Sequence, residues 1–300
     1  MKYSYNNRQT DIADEIIEDN KKKMFQDGSS SYITKYLDDI VKHVVNLEKD
    51  NAYNRPKGRY VTIDSPLLIF GSKSVFEHTV EQLYTELKKQ LINKKNILVV
   101  GIGNKGQTSD SLGPKVIQNI ENHRVRNGGK LIFGGKRKLF AFAPNVAFRT
   151  GIDSVEITKS LVETIKPDIV IIIDSLCTSK IERIGTSFQI ADSGLSPGSG
   201  LNDDSFELSK STLGVDSVAI GVPMVVFASE LAVDFLFNDL VETEIFKEKF
   251  RDKMKNSFGD FVVTPKDIDD IVYFCSEVIS EAIVKVLYSK NLNKPPKKDS

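Results

Sequence analysis

Two aspartates follow apolar runs in a way that suits proton transfer. Asp174 closes DIVIIID directly after three isoleucines, and Asp110 lies in the loop GIGNKGQTSDS that follows the apolar run at 96–100. A carboxyl at the mouth of a buried strand is partly desolvated, which disfavours its charged form and raises its pKa. Open α/β sheets place ligand crevices beyond the carboxyl ends of their strands. If two such strands are neighbours, their carboxyls converge and share a proton, one serving as general base and the other as general acid. Taken singly, each aspartate also fits a helix cap or a surface turn. Asp153 and Asp192 compete, because both sit near element ends.

Other chemistries find less support. The three histidines, His43, His78 and His123, and the two cysteines, Cys177 and Cys275, form no cluster at metal-ligand spacing, so no metal and no cofactor is expected. Cys177 comes three residues after Asp174, but no histidine lies nearby in sequence to activate it, so it reads as a packing residue. Gly101, Gly103 and Gly106 match the G-x-G-x-x-G fingerprint of dinucleotide binding. That fingerprint should open a helix at once and find an acidic residue about 20 positions on. Here QTSDS intervenes, and the next strand, LFAFAP, ends without an acid. A plain glycine turn is the better reading.

Composition narrows the classes further. In 300 residues, 41 basic side chains balance 41 acidic ones, which argues against a chain held to nucleic acid by bulk charge. With 40% hydrophobic and 27% charged residues, the chain can bury an ordinary core. Two cysteines are too few for a disulfide scaffold and fit a reducing compartment. The N-terminus is polar and acidic where a signal peptide is apolar, and no apolar run approaches the ~20 residues that span a bilayer. A cytoplasmic protein without membrane contact is expected.

The elements that must position the aspartates alternate between 92 and 240, the mark of an α/β domain with a mostly parallel sheet. Strands are predicted at 96–100, 139–143, 168–174, 186–191 and 217–226. Of these, 168–174 is the most apolar and so the most central. Helices are predicted from Pro114, over 154–166, over 228–240 and, finally, from Thr264 as cap with Pro265 at the first position. That last helix turns Ile268, Ile271, Val272, Cys275, Ile279 and Val286 inward. Residues 1–56 read as a loosely packed preface of helical fragments, 57–290 as one domain and 291–300 as a solvated basic tail.

Several segments, taken in order, resemble the germination (spore) protease family, aspartic endopeptidases that degrade small acid-soluble spore proteins. They are KGRYVTIDSP (57–66), GIGNKGQTSDSLGPKV (101–116), TGIDSVEI (150–157), KPDIVIIIDSL (166–176), IERIGTSFQIADSGLSPGSG (181–200), LGVDSVAIGVPMVV (213–226) and VVTPKDIDD (262–270). The resemblance implies a three-layer α/β/α sandwich similar to the hydrogenase-maturation proteases. It assigns the catalytic pair to Asp110 and Asp174, the two residues already set apart. It also implies an inactive precursor that removes its own N-terminal peptide, cut between an acidic and an apolar residue with Ala next. Thr10-Asp11-Ile12-Ala13-Asp14-Glu15 fits that pattern with the cut between Asp11 and Ile12, although Thr10 with acids behind it is also an ordinary helix start. A homotetramer in the spore core is implied as well, with spore proteins as substrates; the balanced charge suits acting on them without holding nucleic acid directly.

The chain departs from the family pattern at 145–149, at 175–179, and at Met224 and Phe227, all expected near the crevice. These changes keep two rival readings open. One is a hydrogenase-maturation-type protease that trims a C-terminus; the other is a catalytically silent relative that acts by binding.

Overall fold

The apolar runs form the middle of one ten-stranded mixed sheet. The structure, a computed structural model, describes residues 9–17, 30–48, 55–126, 132–133, 137–195, 207–237 and 244–289. The strands are β1 (Ser30–Leu37), β2 (Ile40–Leu47), β3 (Gly58–Asp64), β4 (Asn96–Gly101), β5 (Ile132–Phe133), β6 (Arg137–Phe142), β7 (Ile169–Thr178), β8 (Ser187–Ala191), β9 (Asp216–Phe227) and β10 (Val262–Val263). The helices are α1, described over 13–17, then α2 (Lys73–Gln90), α3 (Leu112–Arg126), α4 (Ala147–Thr150), α5 (Ser154–Ile165), α6 (Lys210–Leu213), α7 (Ala228–Phe237), α8 (Glu244–Phe258) and α9 (Ile268–Tyr288). The strands run in the order β1-β2-β3-β8-β9-β7-β4-β6-β5, with β10 pairing onto β9.

Alternation along each strand sorts the side chains into two layers. Ile169, Ile171 and Ile173 of β7 join the large core beneath α2, α3 and α9. Val170 and Ile172 face the other way and meet Leu161, Val162 and Ile165 of α5. Helices thus cover both faces, which gives the expected α/β/α sandwich. The parallel strands are β6, β4, β7 and β9; β1, β2, β3, β8, β5 and β10 pair antiparallel. The antiparallel flank has a direct cause. Only Asp38 and Asp39 separate β1 from β2, with Asp38 at φ 51°, and so short a link can only fold the chain back on itself.

That flank corrects the expectation of a loosely packed preface, because residues 30–47 belong to the sheet. What the helical reading missed is a pair of buried polar side chains. Lys42 is held by Glu86 of α2, and His43 lies 3.1 Å from Asp64 of β3. Glu86 also accepts from Arg59 and Lys89, each at 2.8 Å. Burial would raise the Glu86 carboxyl, but these cations bring it down to about 2. Its stabilising share is therefore complete above the ordinary carboxyl range and lost as pH falls through about 2. Glu86→Leu leaves the Lys42 ammonium buried without its partner and is expected to destabilise the chain by about 3–5 kcal/mol, read as a shift of the urea midpoint. An unmoved midpoint would show that water reaches the cluster.

Two predicted helix starts shift. α3 begins at Leu112, two residues before Pro114; the first-turn N–H groups have no intrahelical partner, so proline is tolerated there. α9 begins at Ile268 with Asp267 at its cap. Thr264 instead donates its hydroxyl to the Met224 carbonyl at 2.9 Å, because the chain is still paired to β9 at Val262 and Val263. Among the described residues, no helix is long and apolar enough to cross a membrane. The tail at 291–300 lies outside the described residues.

Candidate active site

The glycine motif builds the loop that presents Asp110. Gly103 has φ +121°, and a Cβ there would come within 2.0 Å of the Asp110 carbonyl oxygen, so only glycine fits. The Asn104 N–H donates both to that carbonyl, at 2.8 Å, and to Asp110 Oδ2, at 3.0 Å. The motif therefore turns the chain back to hold a carboxylate. Burial pushes the Asp110 carboxyl up to about 6, with the Asn104 N–H pulling the other way.

Asp174 occupies the corresponding place on β7. It is 5% exposed and points to the α5 side of the sheet, continuing the Val170–Ile172 row. Burial raises its carboxyl well above the usual range, and the charge of Asp110 raises it further; the Ser175 N–H opposes this, and Asp11 adds to it. The structure thus brings the two sequence-predicted aspartates into one electrostatic unit. Neighbouring strands extend the site across the sheet. Asp174 pairs in register with Gly221 of β9, Gly221 with Gln189 of β8, and Gln189 with Thr62 of β3, so these residues share one face. Leu176 leans over Gly221, where a Cβ would meet its Cγ at 2.4 Å. The result is a pocket floored by Leu176, Gly221, Ala219 and Ala191, with Tyr60 and Gln189 at its sides.

The N-terminal segment lies across this pocket. The Asp11 N–H donates to the Cys177 carbonyl at 2.9 Å, and its carboxylate accepts from the Cys177 N–H at 2.8 Å. Arg55 stands 4.0 Å from the same carboxylate and donates to the Thr10 carbonyl at 2.5 Å. Ile12 is wholly buried. Asp14 accepts from Thr62 Oγ1 at 2.5 Å and from Arg183 at 2.7 Å. Glu15 accepts from Thr178, Ser179 and Thr10 at 2.5–2.6 Å. A helix does follow, but α1 begins at 13, and the Thr10 hydroxyl accepts the Ile12 N–H at 3.1 Å in a turn ahead of it, so Thr10 is not its cap. Of the two predicted propeptide residues, Asp11 lies close enough to Asp174 for its charge to act on that carboxyl, while Ile12 is packed away from solvent.

The competing aspartates go elsewhere. Asp153 caps α5 through the Val155 N–H at 2.6 Å, and Asp192 accepts the Arg59 N–H at 2.7 Å. Cys177 contributes its backbone; burial, with Asp11 beside it, holds its thiol far above the range of a reactive one. Cys275 is enclosed in the core under α9. Ser187, Asp64 and His43 stand in line, but the serine donates to Asp64 and leaves the imidazole aside, so no hydroxyl is activated there. Among the described residues, no group of three or more His, Cys, Asp or Glu side chains is placed to hold a metal ion.

The family departures separate by place. Residues 175–179 supply the contacts to Asp11 and Glu15, and Arg149 lies against Gly106 in the Asp110 loop. Met224 belongs instead to the core beneath α9, whereas Phe227, buried beside β10, has its backbone against the Cys177 thiol next to Asp11. Arg55, Arg183 and Gln189 were not singled out in the sequence, since no local pattern marks a residue whose role comes from strand pairing.

The model of the germination protease family matches residues 8–257. The chain belongs to that family. As a member it is a peptidase with a role in spore germination. Among its relatives, the germination protease of Clostridium perfringens strain 13 is 34% identical over 264 residues, covering 80% of this chain and 81% of that one. That of Caldanaerobacter subterraneus is 35% identical over 257 residues, covering 78% and 79%. The Bacillus subtilis germination protease is 37% identical over 200 residues, covering 63% of this chain and 54% of its own. A solved [NiFe] hydrogenase maturation protease, HycI from Thermococcus kodakarensis, is 20% identical with a TM-score of 0.32, covering 57% of this chain and 96% of that one. So low a score adds nothing to the fold described above.

Proposed function

We propose that the chain is an aspartic-type endopeptidase, made as a zymogen that cuts itself between Asp11 and Ile12 and then initiates the breakdown of small acid-soluble spore proteins. The observation that carries this reading is the docking of Asp11 beside Asp174, with the Asp11 carboxylate accepting from the Cys177 N–H. Asp110, less buried and served by the Asn104 N–H, carries the charge and takes a proton from the attacking water. Asp174, buried behind the isoleucines of β7, carries the proton and gives it to the leaving amine. Burial and the charge of Asp110 both favour the protonated form of Asp174, which suits it to the acid role.

An acidic residue before the cut follows from the same contacts, since a neutral side chain at position 11 would leave Arg55 and the Cys177 N–H without a carboxylate. The spore-core location and the homotetramer rest on the family resemblance, and the absence of direct nucleic-acid contact on the balanced charge of the chain. The test is intact-mass spectrometry of the purified full chain over time, followed by its action on a small acid-soluble spore protein. Expected are the loss of residues 1–11, a new N-terminus at Ile12, and substrate fragments ending in acidic residues. A chain that stays whole between pH 5 and pH 8, or that cuts itself elsewhere, overturns the reading.

A further inference from the structure

The side chain of Gln189 brackets the Asp11–Ile12 bond. Its Nε2 donates to the Asp11 carbonyl at 3.0 Å, and its Oε1 accepts from the Ala13 N–H at 2.7 Å. The two ends of this amide cannot be exchanged, because a carbonyl only accepts and a peptide N–H only donates. Gln189 is itself 7% exposed, and its strand register fixes where it stands. It faces Asp174 across Gly221, on the same face of the sheet, with no side chain on the strand between them. Two strand spacings, about 10 Å, separate the pair, and the Leu176 side chain reaches over Gly221 between them.

We propose that Gln189 is the carbonyl-holding donor of the self-cleavage, polarising the Asp11 C=O and stabilising its oxygen as charge develops there. This rests on the reading of Asp11–Ile12 as the bond that is cut. Water oxygen forms a bond to the Asp11 carbonyl carbon, its proton passing to the ionised carboxylate of the pair. The C=O π electrons move onto the oxygen that Gln189 Nε2–H holds. When they return, the bond to the Ile12 nitrogen breaks, and that nitrogen takes the proton of the second carboxyl. The products are the Asp11 carboxyl and the Ile12 amine. Donors aimed at the position where an oxyanion forms act without reorganising, which is why losing one slows acyl transfer so strongly. The bond to the Ala13 N–H keeps the amide facing the right way throughout.

The test uses the full chain and follows its own cleavage. Gln189→Met keeps the length of the side chain and removes both polar ends; the rate is expected to fall about 10²–10³-fold, the usual loss for one such donor. Gln189→Glu keeps an acceptor for Ala13 but offers the carbonyl a donor only when protonated. The ratio of its rate to that of the unaltered chain is therefore expected to climb as pH is lowered, whereas the Gln189→Met ratio stays level. A residue that merely packs would not produce that contrast. Gln189→Met cutting within about threefold of the unaltered rate overturns the proposal, as does a Gln189→Glu ratio that ignores pH, and either result leaves the Asp11–Ile12 cut itself standing. If the unaltered chain is cut elsewhere, the underlying reading fails, and this one fails with it.

Discussion

Asp110→Asn and Asp174→Asn are each expected to abolish self-cleavage and, at the same time, to make the folded chain more stable at pH 7. The loss of rate follows from proton transfer: an amide neither takes a proton from water nor gives one to an amine, and positioned acid–base catalysis contributes about 10²–10⁴-fold. The gain in stability follows from linkage. Both carboxyls are raised in the fold, Asp110 to about 6 and Asp174 well above the usual carboxylate range, by burial first and, for Asp174, by the charge of Asp110 as well. Above about pH 4 the unfolded chain has released protons that the native chain still holds, so stability falls as pH rises toward the folded values. Each unit of raised pKa costs about 1.4 kcal/mol by pH 7, so asparagine at position 110 recovers on the order of 3 kcal/mol, and asparagine at position 174 shifts stability in the same direction. Urea unfolding at pH 7 and pH 4 checks the sign, since the gain should shrink at the lower pH. The unaltered chain should also slow its own cleavage below about pH 6, where Asp110 becomes protonated. Full activity in either variant would remove the pair from the mechanism.

How much of this was legible in the sequence depends on how local the physics is. β7 was plain because five consecutive apolar residues, buried on both faces, leave no other reading. The two aspartates were plain for a related reason, as each is the first carboxylate after an apolar run, although β7 continues past Asp174 to Thr178 and so holds that carboxylate within the strand. β1 and β2 were hidden because both rows of β2, each packed into a core, carry a polar group, and Lys42 and His43 are made acceptable only by Glu86 and Asp64, far along the chain. Gln189 was hidden for the same cause at the site. Nothing around it in SFQIA marks it, and its importance comes from register with Gly221 and, through it, with Asp174. The glycine motif shows the opposite case: a strong local pattern whose geometry is real but serves the Asp110 loop.

Arg183 governs whether the N-terminal segment docks at all. It is 7% exposed and sits 2.7 Å from Asp14, 3.5 Å from Asp64 and 3.6 Å from Glu15. Burial alone would weaken its hold on the proton, but Asp14, Asp64 and Glu15 outweigh that and raise its pKa further. Arg183→Met keeps most of the apolar stem and removes the charge, which strands the carboxylates of Asp14 and Glu15 in a place with almost no water. Leaving buried charges without their partner costs about 3–5 kcal/mol, enough to shift the docking of residues 10–17 by more than about 10²-fold. Amide hydrogen exchange over 12–17 should then rise toward that of an open chain, and self-cleavage should slow with it, because the bond is no longer brought to the pair. Asp14→Asn and Glu15→Gln added to Arg183→Met should restore much of the protection, since amides can be buried against the hydroxyls of Thr62, Thr178 and Ser179 without a cation. Self-cleavage should return in the same variant, as none of these three changes touches Asp110, Asp174 or Gln189. If Arg183→Met leaves exchange over 12–17 unaltered, the ion cluster does not hold the segment, and the backbone contacts of Asp11 and Ala13 must suffice.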